Sequence, residues 1–396
     1  MALTVPSPFA TTGSTRVRAV GERRDDGVDT ASDPATGHAT GHATAERVLM
    51  DRVLTTADEE AAAVFLIPGG YDLRASLGIL QHGVQDPSMR LDPGRAAGCW
   101  MAFNTDHGPA SLRLDARRVA GQHPPGAEGA LEPEIVGPES VVGPVHVLVQ
   151  ARAYGPGAAD ALAAVPALLG AHDDWADLDG DELAGQLPRF ITRTRRARLD
   201  VRLPTAGRML DFAVIAVLGQ KITGLEAKRA WQYLVSRFGS PAPGPVPAGL
   251  TVPPTGEQWR RVPSWHWHRA GVDLSRSTTI LRLAQRATAL QRLAALPCGD
   301  ELATRLMSIP GIGPWTTAET TQRTHGDPDA VSVGDFHLAK DVGWAFSGAA
   351  VDDEGMMRIL EPWTGHRQRV VRLMYLSGFR RPRFHPRLAP ADHRFH

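Results

Sequence analysis

The stretch Ile309-Pro-Gly-Ile-Gly-Pro-Trp315 lies between two segments of helical periodicity, and it decides the fold of this 396-residue chain. Two glycines with one residue between them, after a proline, are typical of a tight hairpin. The backbone N–H groups of such a hairpin point outward at the start of the next helix. Such groups hold a phosphate without contacting a base edge. Because Gly-x-Gly turns also serve as plain helix connectors, the neighbouring sequence has to decide between the two interpretations.

An aspartate, Asp335, follows 22 residues after Gly313, within the segment Asp329-Ala-Val-Ser-Val-Gly-Asp-Phe-His-Leu-Ala-Lys340. Taken alone, an Asp directly before an apolar helical run is typical of a helix N-cap. The order of a glycine hairpin, a helix, a loop containing Gly, Pro and Asp, and an Asp at the next helix start is more specific. This order resembles the helix-hairpin-helix (HhH-GPD) DNA glycosylase superfamily.

Within that superfamily the chain is most similar to the DNA-3-methyladenine glycosylase II (AlkA-type) branch. The segment Leu218-Gly-Gln-Lys-Ile-Thr-Gly224 resembles the segment that the family inserts into the DNA gap, and Gly70-Tyr-Asp-Leu-Arg74 resembles its small N-terminal domain. The resemblance implies an α+β N-terminal domain, residues 46–180, followed by an all-α helix-hairpin-helix glycosylase domain, residues 181–396. It also implies a monofunctional enzyme that flips and hydrolytically excises alkylated purines from double-stranded DNA, in base excision repair.

Sequence patterning indicates the same division of the chain. Residues 1–45 have few large apolar side chains and are predicted to be a disordered tail. A charged helix is predicted from Ala45 to Val64, followed by short strands. From about Asp181 to Phe379 helical periodicity dominates, and residues 209–238 are predicted to form two helices that break at Thr223-Gly224.

The resemblance assigns roles residue by residue. Asp335 becomes the catalytic carboxylate. The base pocket would be formed by Trp315, Glu319 and Tyr375, and DNA would be bound by Gln220, Lys221, Gly311, Gly313 and Thr316. The backbone carbonyls of Met307, Ile309 and Ile312 are candidates for a structural Na⁺ or K⁺, and no other cofactor is expected.

Two positions depart from the family pattern in ways that bear on activity. Trp315 stands where bifunctional members carry a Schiff-base lysine, and the chain has only three lysines, Lys221, Lys228 and Lys340. Without an amine at that position no imine with the sugar forms, so hydrolysis without lyase activity is expected. Glu319 stands where AlkA-type enzymes carry an aromatic residue, and it either favours a cationic base or is a solvated helix residue.

The chemistry of N-glycosidic cleavage suits a single carboxylate. Positive charge develops on the sugar as the bond breaks, and a nearby carboxylate stabilises that charge and orients or deprotonates a water molecule. N-alkylated purines such as 3-methyladenine and 7-methylguanine are already cationic and leave readily. An aromatic face is then sufficient to hold the base.

Composition sets further limits. Lys plus Arg and Asp plus Glu both number 43, so DNA affinity has to come from local clusters such as the arginines of 189–202 and 358–396. Two cysteines are too few for a disulfide framework, a four-cysteine zinc site or a cysteine-ligated iron–sulfur cluster. We expect a cytoplasmic monomer without a membrane partner. A non-catalytic DNA-binding module and a glycosylase of the same fold for another base lesion remain alternatives.

Overall fold

A computed structural model of the chain describes residues 49–55, 60–93, 98–120 and 145–382. Contacts divide the chain into Met1–Ala43 and Thr44–His396. The predicted disordered tail lies outside the described residues, and every element below belongs to the second unit. No helix within the described segments is both long and apolar enough to cross a membrane.

The N-terminal half forms a six-stranded antiparallel sheet with the strand order β1-β2-β6-β5-β4-β3. The strands are β1 (Leu49–Thr55), β2 (Glu60–Pro68), β3 (Met89–Leu91), β4 (Cys99–Thr105), β5 (Gly108–Ala120) and β6 (Val145–Tyr154). Burial alternates along β2, where Ala61, Ala63, Phe65 and Ile67 face the core. This period of two is that of a strand with one buried face.

The helix predicted from Ala45 to Val64 is wrong, because β1 and the first part of β2 occupy this region. The alanines at 61–63 favour a helix by intrinsic propensity. They lie in a strand that pairs with β1 on one side and β6 on the other. The pairing on both edges overrides the local preference.

Helices dominate the remainder of the described chain. The α-helices are α1 (Leu73–Leu77), α2 (Ala158–Ala163), α3 (Val165–Leu168), α4 (Ala176–Asp179), α5 (Asp181–Gln186), α6 (Arg189–Ala197), α7 (Met209–Leu218), α8 (Gly224–Phe238), α9 (Gly256–Arg260), α10 (Ser264–Arg269), α11 (Leu274–Gln285), α12 (Ala287–Gln291), α13 (Asp300–Met307), α14 (Pro314–Thr324), α15 (Leu338–Ser347), α16 (Asp353–Leu360) and α17 (Arg367–Leu376). Short 3₁₀ segments follow α1, α12 and α16. A two-stranded ribbon that was not predicted, β7 (Ser240–Pro241) with β8 (Thr251–Val252), interrupts the helical half.

The predicted break between α7 and α8 is confirmed. Thr223 caps α8 through a capping box in which its hydroxyl accepts from the Glu226 amide and the Glu226 carboxylate accepts from the Thr223 amide. Helix α7 is almost entirely buried and packs against α11, α12 and α14. A helix that is apolar on all sides and lies at the centre of a bundle fixes the position of the helices around it.

The second helix of the hairpin, α14, is buried even though it is rich in threonine. The hydroxyls of Thr320 and Thr324 donate to the carbonyls of Thr316 and Thr320 at 2.7 and 3.0 Å. These bonds to the preceding turn satisfy the two hydroxyls, whereas the buried Thr317 hydroxyl has no partner within the described residues. A separate core lies under α15, α16 and α17 and includes Val342, Leu360 and Val370.

Candidate active site

The two hairpin glycines have different backbone conformations. Gly311 has a φ of +99°, and a Cβ there would lie 2.1 Å from the Thr279 hydroxyl oxygen, so only glycine fits. Gly313 has a φ of −112°, and a Cβ there would meet no heavy atom within 4 Å. Gly311 therefore shapes the turn, whereas Gly313 faces open space at the start of α14.

The N-terminus of α14 presents backbone N–H groups to the outside of the hairpin. Gly313 is the N-cap, and the intrahelical pairing begins where the Thr317 amide donates to the Gly313 carbonyl at 2.9 Å. The amides before Thr317 have no intrahelical acceptor, and Pro314 has no N–H. The Ile312 amide is already used, because it donates to the Ile309 carbonyl at 3.0 Å. The amides of Gly313, Trp315 and Thr316 are thus the ones that suit an anion.

Gln220, expected in the DNA gap, is bound to the hairpin instead. Its amide nitrogen donates to the Gly311 carbonyl at 2.9 Å and to the Thr316 hydroxyl at 2.8 Å. The Thr316 side chain is itself buried. Gln220 therefore holds the gap segment on the hairpin in this conformation, and the backbone amide is the group of Thr316 that is left for DNA.

Lys221 follows Gln220 in the chain and has a φ of +57°. Among the described residues other than glycine, it is the one with a positive φ. The left-handed conformation is costly for an L-residue with a long side chain, and such strain concentrates at functional sites. The Lys221 side chain is exposed. The structure thus places Lys221, rather than Gln220, free at the tip of the segment.

The Asp335 carboxylate is held by one of its oxygens. Oδ1 accepts from the amides of His337 and Leu338 at 2.8 and 2.9 Å, just ahead of α15. Oδ2 faces the Trp315 indole, whose Nε1 donates to it at 3.4 Å. Asp335 stands two residues before His337, the N-cap of α15, and its Oδ1 accepts from the first amide of that helix, which fixes the carboxylate while leaving Oδ2 for other chemistry.

Trp315 lies at the edge of this site and is only part-buried. A Cβ on Gly219 would lie 3.1 Å from its ring, so the indole packs against the backbone of the gap segment. The structure thus places Trp315 between that segment and Asp335. Its position is not that of a core aromatic.

A cavity of about 410 Å³ opens beside Asp335. Its walls come from α14, α15, α17 and the α1 region, and its lining includes Glu319, Asp335 and Tyr375. The structure therefore brings three of the predicted catalytic and base-pocket residues to one cavity. The cavity volume falls within the range of small-molecule sites.

Glu319 is not a solvated helix residue. Its Oε2 accepts from Arg323 Nη1 at 2.9 Å, and its Oε1 accepts from the Ser332 hydroxyl at 2.5 Å. Both Glu319 and Arg323 are mostly buried. The Glu319 carboxylate therefore lies on the cavity wall, and the Arg323 guanidinium partly balances its negative charge.

Tyr375 contributes a ring to the cavity and ties its hydroxyl to α15. The hydroxyl donates to Asp341 Oδ2 at 3.1 Å. Burial and the negative charges of Asp341 and Asp335 raise the pKa of Tyr375 well above its usual value. The phenol is therefore neutral at physiological pH, and it presents an aromatic face rather than an ionisable group.

The hairpin carbonyls of Met307, Ile309 and Ile312 offer the oxygen ligands that Na⁺ or K⁺ requires. The Ile309 carbonyl already accepts from the Ile312 amide, and a carbonyl retains a second lone pair. A monovalent cation at these three oxygens remains a proposal. The described residues contain no group of three His, Cys, Asp or Glu side chains that could hold a metal ion.

Some arginines of the two predicted clusters are paired with carboxylates, whereas no ion pair within the described residues involves Arg189, Arg193 or Arg196, so the predicted phosphate-binding patches remain a prediction. The arginines that pair with carboxylates are Arg195, Arg198, Arg358, Arg367, Arg369 and Arg381. Residues 383–396 of the second cluster lie outside the described residues.

Two polar side chains of α17 that line the cavity were not predicted as site residues. Gln368 and Arg372 line the cavity together with Tyr375, at positions i, i+4 and i+7 of α17. This spacing puts them on one helix face. The helical spacing of these residues relative to Tyr375 could have identified them from the sequence, because Tyr375 was already predicted to line the base pocket.

Comparisons with known proteins agree with this geometry. No protein-family model matches the chain. Two curated proteins from two strains of Mycobacterium tuberculosis, each described as "Probable bifunctional transcriptional activator/DNA repair enzyme AlkA", are 30% identical to it over 138 residues. The aligned segment makes up 35% of this chain and 27% of the length of those relatives.

Solved structures share the fold over most of the chain. The 3-methyladenine DNA glycosylase of Archaeoglobus fulgidus covers 80% of this chain and 98% of its own at a TM-score of 0.57 and 15% identity. An 8-oxoguanine glycosylase/lyase of Clostridium acetobutylicum, bound to double-stranded DNA, covers 83% and 97% at a TM-score of 0.56 and 9% identity. These likenesses establish the fold.

Proposed function

We propose that this chain, which resembles the AlkA-type branch of the helix-hairpin-helix DNA glycosylase superfamily, is a monofunctional DNA glycosylase. It flips an alkylated purine out of double-stranded DNA, hydrolyses the N-glycosidic bond and leaves an abasic site. Its substrates are of the 3-methyladenine and 7-methylguanine type. The relatives' activities are their own, and the proposal rests on the geometry of this site.

The observation that carries the proposal is the placement of the Asp335 carboxylate. Its Oδ1 is fixed by two backbone amides, and the residue lies on the wall of a cavity of about 410 Å³. A rotationally fixed carboxylate beside a cavity that accommodates a purine stabilises charge where it develops, without reorganising. A residue that serves only as a helix cap needs no adjoining cavity.

We assign the reaction steps as follows. The C1′–N bond of the flipped nucleotide breaks, and its electron pair leaves with the base, which becomes neutral if it was a cationic alkylated purine. The Asp335 carboxylate stabilises the sugar cation that forms. A water oxygen then bonds to C1′, and the proton it loses passes to the carboxylate and on to solvent.

DNA would be positioned by the hairpin and by the gap segment. The amides at the start of α14 bind a phosphate next to the flipped nucleotide. Lys221 is placed to enter the gap that the nucleotide leaves. Because Gln220 bonds to both the Gly311 carbonyl and the Thr316 hydroxyl, the two parts form a single unit.

The test of the proposal is analysis of the products formed from methylated duplex DNA. We expect free methylated base and an intact abasic strand, with no adduct trapped by borohydride. Trp315 has no amine, so it cannot form the imine that a lyase needs. A trapped covalent complex would overturn the monofunctional assignment.

Two alternatives have distinct outcomes in the same assay. A non-catalytic DNA-binding module would bind the duplex and release no base from any lesion. A glycosylase for another lesion would release a mismatched adenine, uracil or oxidised purine and leave methylated bases in place. The wall formed by Glu319 and Asp335 favours the alkylated substrates, because a cationic base gains from an anionic wall.

Glu319 supplies a separate prediction. Replacing it with Gln keeps the Ser332 contact and removes the negative charge. We expect the release rate of cationic 7-methylguanine to fall several-fold more than that of neutral hypoxanthine, measured in single turnover on matched duplexes. An equal loss on both bases would show that the Arg323 pair fully cancels the carboxylate.

A further inference from the structure

Two polar side chains on the cavity wall have no task in the proposed reaction. Gln368 is only 6% exposed, and within the described residues its side-chain amide makes no hydrogen bond. It lines the cavity one helical turn from Arg372. Its side-chain nitrogen and oxygen are not among the fully buried unpaired atoms of the described residues, so they are open to the cavity, where they can donate to and accept from a ligand.

Arg372 is held in place and retains unused donors. Its Nη2 donates to the carbonyls of Ala75 and Ser76, the latter at 3.1 Å. Its Nε is buried without a partner, and no hydrogen bond from its Nη1 occurs within the described chain. Burial lowers the pKa of Arg372 to about 10, so the guanidinium remains protonated at neutral pH.

We infer that Arg372 and Gln368 read the C6 edge of the flipped base, and that they select purines with an oxygen at C6, as in guanine, over purines with an amino group there. The inference rests on the proposed glycosylase function and narrows its substrates from the 3-methyladenine and 7-methylguanine types to the 7-methylguanine type. In this arrangement the O6 oxygen accepts from Arg372. The neighbouring N1–H donates to the Gln368 side-chain oxygen.

The selectivity comes from Arg372 more than from Gln368. A guanidinium has donors only, so it pairs with O6 and opposes the N–H groups of a 6-amino purine. A carboxamide has both a donor and an acceptor, and it can rotate to suit either base. A site that is built to bond one group rejects an analogue that leaves its polar atoms unpaired.

The test compares 7-methylguanine with 7-methyladenine in otherwise identical duplexes. Both bases are cationic and carry the methyl group on the same nitrogen, so their charge is matched, and each release rate is divided by the rate at which the same duplex loses that base without protein. The wild-type protein should release 7-methylguanine at least tenfold faster in single turnover. Arg372→Met should reduce this ratio to near one, whereas Arg261→Gln, which removes an exposed arginine paired with Glu257, should leave it unchanged.

A second variant covers the case in which Arg372→Met fails to fold, since Arg372 also anchors the α1 region. Gln368→Glu puts a carboxylate four residues before Arg372, where it pairs with the guanidinium and removes the free donor. This variant should also lower the ratio. Equal release of the two bases by the wild-type protein, or a ratio that survives in both variants, overturns the inference and leaves the glycosylase function standing. If the wild-type protein releases neither of these bases and no other methylated purine, both the inference and the glycosylase function are overturned.

Discussion

Asp335→Asn is expected to reduce single-turnover release of methylated base by orders of magnitude while leaving affinity for DNA with an abasic-site analogue nearly unchanged. The asparagine side-chain oxygen can still accept from the amides of His337 and Leu338, which Oδ1 serves in the native protein. The charge that stabilises the sugar cation is lost. A loss confined to the chemical step, with binding preserved, is the signature of a group that acts in the transition state.

A matched control exists on α16. Asp352 caps that helix, and its Oδ1 accepts from the Gly355 amide at 2.8 Å. Asp352→Asn should cost about 1 kcal/mol or less in a thermal melt and leave base release unchanged. If Asp335→Asn behaves in the same way, with a small stability change and undiminished release, Asp335 is only a cap and the catalytic assignment fails.

The sequence was most informative where local chemistry determines local structure. The hairpin around Gly311, the break at Thr223 and the pairing of β4 with β5 all depend on residues close to one another in the chain. Turn glycines, capping boxes and alternating burial are signals of this kind. Accordingly, α7 and α8 lie where periodicity predicted two helices within residues 209–238.

What the sequence could not supply depends on residues that are far apart. Arg323 reaches the Ile79 carbonyl, and Arg372 reaches the carbonyls of Ala75 and Ser76, so the cavity exists only after the two halves have packed. The reassignment of Ala61–Ala63 from helix to strand has this cause as well, because the partner strand β6 lies some 90 residues away in the sequence.

Gly313→Asp is the second change with a large expected effect, a loss of DNA affinity of roughly tenfold or more, about 1.4 kcal/mol. The aspartate would be at the N-cap of α14, where backbone φ and ψ are already extended and a Cβ meets nothing within 4 Å. Its carboxylate would accept from the amides that are proposed to hold a phosphate, and its charge would repel that phosphate. An N-cap Asp also stabilises a helix, so a thermal melt should show the fold retained.

Gly313→Ala separates charge from bulk, since it adds the same Cβ without an acceptor or a charge. The alanine variant should bind abasic-site duplex nearly as tightly as the wild-type protein, in titrations at one fixed salt concentration, because phosphate contacts are salt-dependent. If the aspartate variant is folded and both variants bind as tightly as the wild-type protein, the hairpin amides do not contact DNA. Equal losses in both variants would mean instead that the surface at Gly313 is packed closely against the duplex, so that bulk rather than charge decides.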